Sequence, residues 1–211
     1  MKKVTIIDYG CGNILNLARA IKYFGYETEI THEKKKILNS SHLILPGVGA
    51  FGDAMEQIKK YDLQDPIVEY AKSNKPLLGI CLGMQLLFTE SHEFGVHKGL
   101  DLIEGKVVRI SNKKNKEIKI PHTGWNEIYP AGNKKEWKSM ILKNNLIGKS
   151  FYFVHSFICQ TKNPNLTIAV CDYFDISIPA VVSDSNIFGY QFHPEKSSDN
   201  GLEVLKNFCD I

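Results

Sequence analysis

A cysteine placed to act as a nucleophile stands at Cys81, inside Gly79-Ile-Cys81-Leu-Gly83. A glycine two residues to either side lets a strand turn sharply into a helix, because neither carries a Cβ to clash with tight backbone. The central side chain is then thrust out at the carboxyl end of the strand. The first N–H groups of the following helix point back at Cys81, which favours thiolate, and the N–H of Leu82 becomes a donor for an oxyanion. Such a nucleophile needs a base, and the base needs an orienting acceptor. Of the seven histidines, His193 is placed for this, following Tyr190-Gln191-Phe192 and preceding Pro194-Glu195. Residues i and i+2 of an extended segment face one side, so Glu195 can hold the imidazole while His193 takes the Cys81 proton. His32, His42, His92 and His97 read as loop or element-edge residues without an evident orienter. The competing readings are a core cysteine and a metal site at His193 and Glu195; no third ligand cluster supports the latter.

The elements that must carry these groups are legible from periodicity. Leu77, Leu78 and Ile80 end a buried strand, and Met84, Leu86, Leu87 and Phe88 read as the inward side of the helix after it. Upstream, a strand over Val4 to Ile7 leads through Asp8-Tyr-Gly-Cys-Gly-Asn13 into a helix with Ile14, Leu17, Ala18, Ile21 and Phe24 inward, stopped at Gly25. Strands follow at Tyr26 to Ile30 and His42 to Leu45, then Pro46-Gly-Val-Gly-Ala-Phe-Gly52, a loop able to turn an N–H toward an oxyanion. Helices are predicted over Asp53 to Lys60 and Leu63 to Ser73. This repeat of strand, glycine turn and helix implies a mostly parallel α/β sheet covered on both faces, with chemistry at the carboxyl ends of its strands. The second half reads as β-rich: Ile103 to Ile110, Ile118 to Pro121, Phe151 to Ile158, Thr167 to Cys171, Ile178 to Ser183 and Ile187 to Gln191, with a hairpin turn at Asp184-Ser-Asn186 and a closing helix from Asn200 to Cys209. No linker or internal repeat divides the 211 residues, so residues 1–211 are expected to form one domain.

Composition excludes several classes. Hydrophobic residues at 43% and charged residues at 23% fit a globular protein, and no apolar run approaches the roughly eighteen residues that span a bilayer. The net charge of +3 is modest. The runs Lys34-Lys36 and Lys113-Lys114-Asn115-Lys116 read as solvated loops, with no nucleic-acid partner. Five cysteines without CxxC spacing argue against a disulfide framework or a zinc site, so a reducing, cytoplasmic setting is expected, with no metal or cofactor.

Gly79-Ile-Cys81-Leu-Gly83-Met-Gln85 with Phe192-His-Pro-Glu195 resembles the class I, Cys-His-Glu triad glutamine amidotransferases. Asp8-Tyr-Gly-Cys-Gly-Asn13, Leu45-Pro-Gly-Val-Gly-Ala-Phe51, Pro121-His-Thr-Gly-Trp-Asn126, Tyr152-Phe-Val-His-Ser156 and Gln191-Phe-His-Pro-Glu-Lys-Ser197 narrow the resemblance to the branch serving as glutaminase subunits of imidazole glycerol phosphate synthases. The resemblance runs almost end to end. It implies the three-layer class I amidotransferase fold and hydrolysis of glutamine to glutamate and ammonia through Cys81, His193 and Glu195. It also implies oxyanion donors at Val48 and Leu82, and a glutamine pocket at Gly49, Gln85, Glu93, Tyr152, His155 and Ser156, with Glu93 facing the substrate ammonium. The ammonia implies a partner, a (β/α)₈ barrel cyclase in a heterodimer, facing Asn13, Thr123, Trp125 and Lys196. Thr123 departs from the methionine usual in that motif. The alternative implied partner is a paralogous barrel that aminates a bacterial surface-polysaccharide sugar.

Overall fold

The computed structural model describes residues 2–111, 118–132, 134–137 and 139–211. In chain order the elements are β1 (Lys3–Ile7), α1 (Ile14–Tyr23), β2 (Glu27–Thr31), α2 (Lys34–Asn39), β3 (His42–Leu45), α3 (Phe51–Lys60), α4 (Gln64–Lys72), β4 (Leu77–Ile80) and α5 (Leu82–Leu86). There follow β5 (Phe88–Ser91), β6 (His97–Lys98), β7 (Ile103–Arg109), β8 (His122–Glu127), β9 (Tyr129–Pro130), β10 (Ser150–His155) and β11 (Phe157–Thr161). The chain closes with β12 (Thr167–Tyr173), β13 (Ile176–Asp184), β14 (Ile187–Tyr190) and α6 (Ser198–Asp210).

The central sheet runs β2-β1-β3-β4-β14-β13-β12-β9. From β2 to β14 every neighbouring pair is parallel, and the remaining pairs are antiparallel. The inner strands β1, β3, β4 and β14 are buried and mostly apolar, the edge strand β2 is largely exposed or half-buried, and alternation sorts the inner side chains between two layers. Leu78 and Ile80 join Leu17, Ile21, Val204 and Phe208 of α1 and α6. Leu77, beside them, packs with Met55, Ile58, Ile67 and Tyr70 of α3 and α4. A second sheet, β11-β7-β5-β6, and the β8–β10 ribbon make up the β-rich remainder.

One consequence of this order positions the site. β3, β4 and β14 are adjacent and parallel, with Leu45 opposite Gly79 and Tyr190 opposite Ile80. The segments that follow them, Pro46–Gly49, Cys81 and Gln191–Glu195, therefore emerge at one edge of the sheet.

Several expectations need correction. Phe88 begins β5 rather than continuing the helix, because the carbonyls of Leu86, Leu87 and Phe88 accept N–H groups from Leu100, Leu102 and Asp101 at 2.9, 2.9 and 3.3 Å. That pairing brings Gly99 so close that a Cβ there would lie 2.1 Å from the Phe88 oxygen. Lys34–Lys36 opens helix α2 instead of a loop. Ile118–Pro121 is not a strand; the Ile120–Pro121 bond is cis and β8 starts only at His122. Phe151 to Ile158 is two strands broken at Ser156, where the chain leaves the β8 ribbon and joins β7. The run Lys113-Lys114-Asn115-Lys116 lies outside the described residues.

His42, expected at an element edge, is 2% exposed, and neither ring nitrogen has a hydrogen-bond partner among the described residues. Burial first, and the Lys2 charge second, push its imidazole down to about 4. An unfolded histidine titrates near 6.5, so the unfolded state binds more protons between those values and stability falls as pH drops through that window. Between pH 7 and pH 4.5, His42→Leu is expected to lose about 2 kcal/mol less stability than wild type. Urea midpoints at the two pH values check this; equal losses in both proteins would refute it.

Candidate active site

Cys81 sits at φ 54°, ψ −111°, a region an L-residue enters only when its surroundings enforce it. The enforcement is packing. A Cβ on Gly79 would lie 2.6 Å from the Gly83 oxygen, and one on Gly83 would lie 1.8 Å from the Leu45 oxygen. Strand, turn and α5 close on each other through those two missing methyl groups, and the Cys81 N–H is held by the Tyr190 carbonyl at 2.7 Å. Cys81 is 6% exposed, its Sγ 3.8 Å from the Val154 carbonyl and 3.9 Å from Gln191 Nε2.

His193 leaves β14 and enters a single 3₁₀ turn, Pro194–Lys196. Its backbone N–H donates to the Tyr152 carbonyl at 2.9 Å, and its carbonyl accepts from Ser197 Oγ at 2.6 Å. Nδ1 lies 2.9 Å from Glu195 Oε1, both side chains 3% exposed. A carboxylate only accepts, so Nδ1 carries a proton and Nε2 is left toward the cavity shared with Cys81. Nε2 has no hydrogen-bond partner among the described residues, as is common before substrate arrives. Burial depresses the imidazole, but the charge Cys81 carries once it has lost its proton, together with Glu195, outweighs burial and lifts His193 well above the usual histidine range, so a proton passed from sulfur to Nε2 is held there. Asn13, expected only at a partner face, places Nδ2 3.4 Å from Glu195 Oε1, across 182 residues of sequence.

The cavity at this edge has a volume of about 280 Å³. Val48, Gly49, Cys81, Leu82, Gln85, Glu93, His155, Ser156 and His193 all border it. Pro121, Val154 and Phe157 border it too and were not anticipated. Tyr152 does not. Its ring lies outside the cavity, 6.1 Å from Trp125 edge-on and under Lys196 Nζ at 5.7 Å. Val154, on the same face of β10 two residues further on, does border the cavity, so position along the strand carries Tyr152 away from it.

Three pocket side chains are already engaged. Glu93 Oε2 accepts the Phe51 N–H at 2.6 Å, at the start of α3, where a carboxylate is favoured by the helix dipole. Gln85 Nε2 donates to the Phe157 carbonyl at 3.1 Å and to Gln191 Oε1 at 3.2 Å. His155 Nδ1 donates to the same Phe157 carbonyl at 2.9 Å, and its Nε2 meets His122 Nδ1 at 3.0 Å. Burial drives His155 down to about 3, only partly opposed by the Phe157 hydrogen bond, so it stands neutral.

Outside the cavity, Trp125 is 53% exposed and Thr123 lies two residues back on the same face of β8. With Lys196 and Tyr152 they form an aromatic and basic surface near the edge where Cys81 and His193 meet. Among the described residues no helix is long and apolar enough to cross a membrane, and no three metal-ligating side chains gather as a metal set.

Residues 5–211 match the family described as Glutamine amidotransferase class-I. Imidazole glycerol phosphate synthase subunit HisH 1 of Legionella pneumophila strain Paris is 44% identical over 213 residues, covering 100% of both chains. The subunit HisH of Caldanaerobacter subterraneus subsp. tengcongensis is 45% identical over 208 residues, 99% of this chain and 98% of that one. A crystal structure of a glutamine amidotransferase superposes with a TM-score of 0.72 at 18% identity, covering 98% of this chain and 99% of that chain. The structure of PurLQS from Thermotoga maritima gives 0.70 at 17%, covering 99% and 98%. At such identities these last two speak for the fold.

Proposed function

The chain belongs to the class I glutamine amidotransferases, and from that premise we propose that it is one domain hydrolysing glutamine at Cys81, His193 and Glu195 as the glutaminase subunit of an imidazole glycerol phosphate synthase. The observation carrying this reading is the arrival of the Cys81 elbow and the His193–Glu195 pair from adjacent parallel strands at one cavity that Glu93 also borders.

In this reading the Cys81 proton passes to His193 Nε2. The sulfur bonds to the amide carbon of glutamine as the carbonyl electron pair moves onto oxygen, facing the N–H of Leu82 and, once turned inward, of Val48. The C–N bond then breaks, and the proton on Nε2 leaves with the nitrogen as ammonia. Water gives a proton to Nε2 as its oxygen bonds to the thioester carbon. The C–S bond breaks, glutamate departs, and the proton returns to sulfur. Glu195 keeps the ring in the productive tautomer throughout, and Asn13 steadies Glu195. The free oxygen of Glu93 meets the substrate ammonium, while Gly49 and Ser156 offer backbone. The ammonia goes to a barrel cyclase, in the reducing cytoplasm, that yields imidazole glycerol phosphate and an aminoimidazole carboxamide ribonucleotide. Trp125, Thr123 and Lys196 provide its docking face.

Glutamate release tests the reading. The chain alone, the chain with the histidine-pathway cyclase, and both with the cyclase's ribonucleotide are compared, with Cys81→Ala as blank. Strong Cys81-dependent stimulation in the last mixture is expected. Hydrolysis unchanged by that cyclase would remove the histidine-pathway assignment and send the partner search to sugar-aminating barrels.

A further inference from the structure

Gln191 is fully buried, and nothing in the steps above uses it. It follows β14 directly, two residues before His193, with its backbone N–H on the Ala180 carbonyl at 2.9 Å. Its side-chain amide lies between Gln85 and the Cys81 sulfur.

Which end of that amide faces the sulfur is set by a single backbone carbonyl. The Phe157 oxygen can only accept, and Gln85 reaches it at 3.1 Å, so Gln85 must present its NH₂ there. The other N–H of that group meets Gln191 at 3.2 Å, so Gln191 must present its oxygen. Its NH₂ then remains for Cys81 Sγ at 3.9 Å. A reversed Gln191 would set an amide hydrogen against an amide hydrogen at Gln85 in a buried site, which costs more than it returns.

We propose that Gln191 is a further catalytic residue of this site, its amide N–H donating to the Cys81 sulfur and supporting the thiolate. This rests on the reading of Cys81 as nucleophile. The two protonation states use the surroundings differently. A neutral thiol donates to the Val154 carbonyl at 3.8 Å and needs Gln191 little. Once its proton has passed to His193, that carbonyl is an acceptor facing an anion, and the Gln191 N–H becomes a second side-chain donor on the sulfur beside the protonated His193. A hydrogen bond to a charged acceptor shortens and strengthens, so the contribution is larger for the thiolate than for the thiol. The same donor is relaxed when the thioester forms and is regained when sulfur leaves.

Alkylation of Cys81 by iodoacetamide at fixed pH, followed by mass spectrometry of its peptide, reads this directly on the full chain. Gln191→Met should react about tenfold more slowly than wild type, the size expected for one charge-assisted hydrogen bond. Gln191→Glu keeps the volume and the acceptor for Gln85 but turns an oxygen to the sulfur, and should react at least as slowly as Gln191→Met. A Gln191→Glu protein alkylated at the wild-type rate would overturn the proposal, since packing alone would then be the role of Gln191. A glutamine-analogue electrophile run beside it separates the two readings. If iodoacetamide labels Cys81 with the expected dependence on Gln191 but the analogue does not, the glutaminase reading fails and the donor assignment stands.

Discussion

Replacing Cys81 by glycine should abolish glutamine hydrolysis while giving a protein more stable than Cys81→Ala. Both substitutions remove the sulfur, so glutamate release should fall by on the order of 10⁴-fold or more in each. They differ in the backbone. At φ 54°, ψ −111° an alanine retains the strain of an L-residue held outside its allowed regions, about 1–3 kcal/mol. Glycine does not. Against this, glycine in place of alanine ordinarily costs about 0.4–1 kcal/mol through the unfolded chain. The balance favours glycine by about 1 kcal/mol, or roughly 2–4 °C in thermal midpoint for a chain of this length. Calorimetry of the two inactive proteins checks it. An alanine variant that melts higher would mean the elbow is not strained, and that Gly79 and Gly83 are there for some other purpose.

The strain matters because it explains what was readable beforehand. Cys81 stood out through its glycines, and those glycines have no function except to let backbone approach backbone; their spacing is the packing written in the sequence. Glu195 stood out for a similar local reason, two residues from His193 on an extended segment. The parallel half of the sheet was legible because its inner strands are mostly apolar and the turns after β1 and β3, and the stop before β2, carry glycines. What escaped was non-local. β5 was absorbed into the preceding helix because the groups that take its carbonyls come from residues 99–103, and nothing within Leu86-Leu87-Phe88 announces them. The contact of Asn13 with Glu195 joins the first βα turn to the last, and the chain Gln191–Gln85–Phe157–His155–His122 joins four separate segments. Neutral amides and imidazoles gain meaning only from what they face, so residue type alone could not order them. Tyr152 likewise depended on a non-local fact, how far along β10 the cavity reaches, for Val154 on its own face does border it.

Gly83→Ala should be the most damaging single methyl group in the site. Gly49, which borders the cavity, has the opposite problem. Gly49 has φ +105° with open space around its Cβ position, so alanine there costs about 1–3 kcal/mol of backbone strain and acts on the orientation of the Val48 peptide. Gly83 has room for no side chain at all. Its Cβ would sit 1.8 Å from the Leu45 oxygen and 2.8 Å from the Leu45 carbon, with backbone that cannot swing aside. Leu45 ends β3 in the middle of the sheet, paired through Gly79 to β4, and Pro46 beyond it is fixed by the Tyr9 hydroxyl on its carbonyl at 2.6 Å. The added methyl must therefore push α5 away from β3. That motion opens the apolar contacts of Leu82, Met84 and Leu86, all buried, and tilts the Leu82 N–H away from the cavity. A cost of about 4 kcal/mol or more is expected, because overpacking against immobile backbone in a core adds strain to lost burial. The thermal midpoint should fall by roughly 10 °C, and glutamine turnover should fall with it even well below that midpoint. A Gly83→Ala protein within about 1 kcal/mol of wild type in urea would show that α5 can slide over β3, and the close approach of helix to strand would lose its claim to fix the nucleophile.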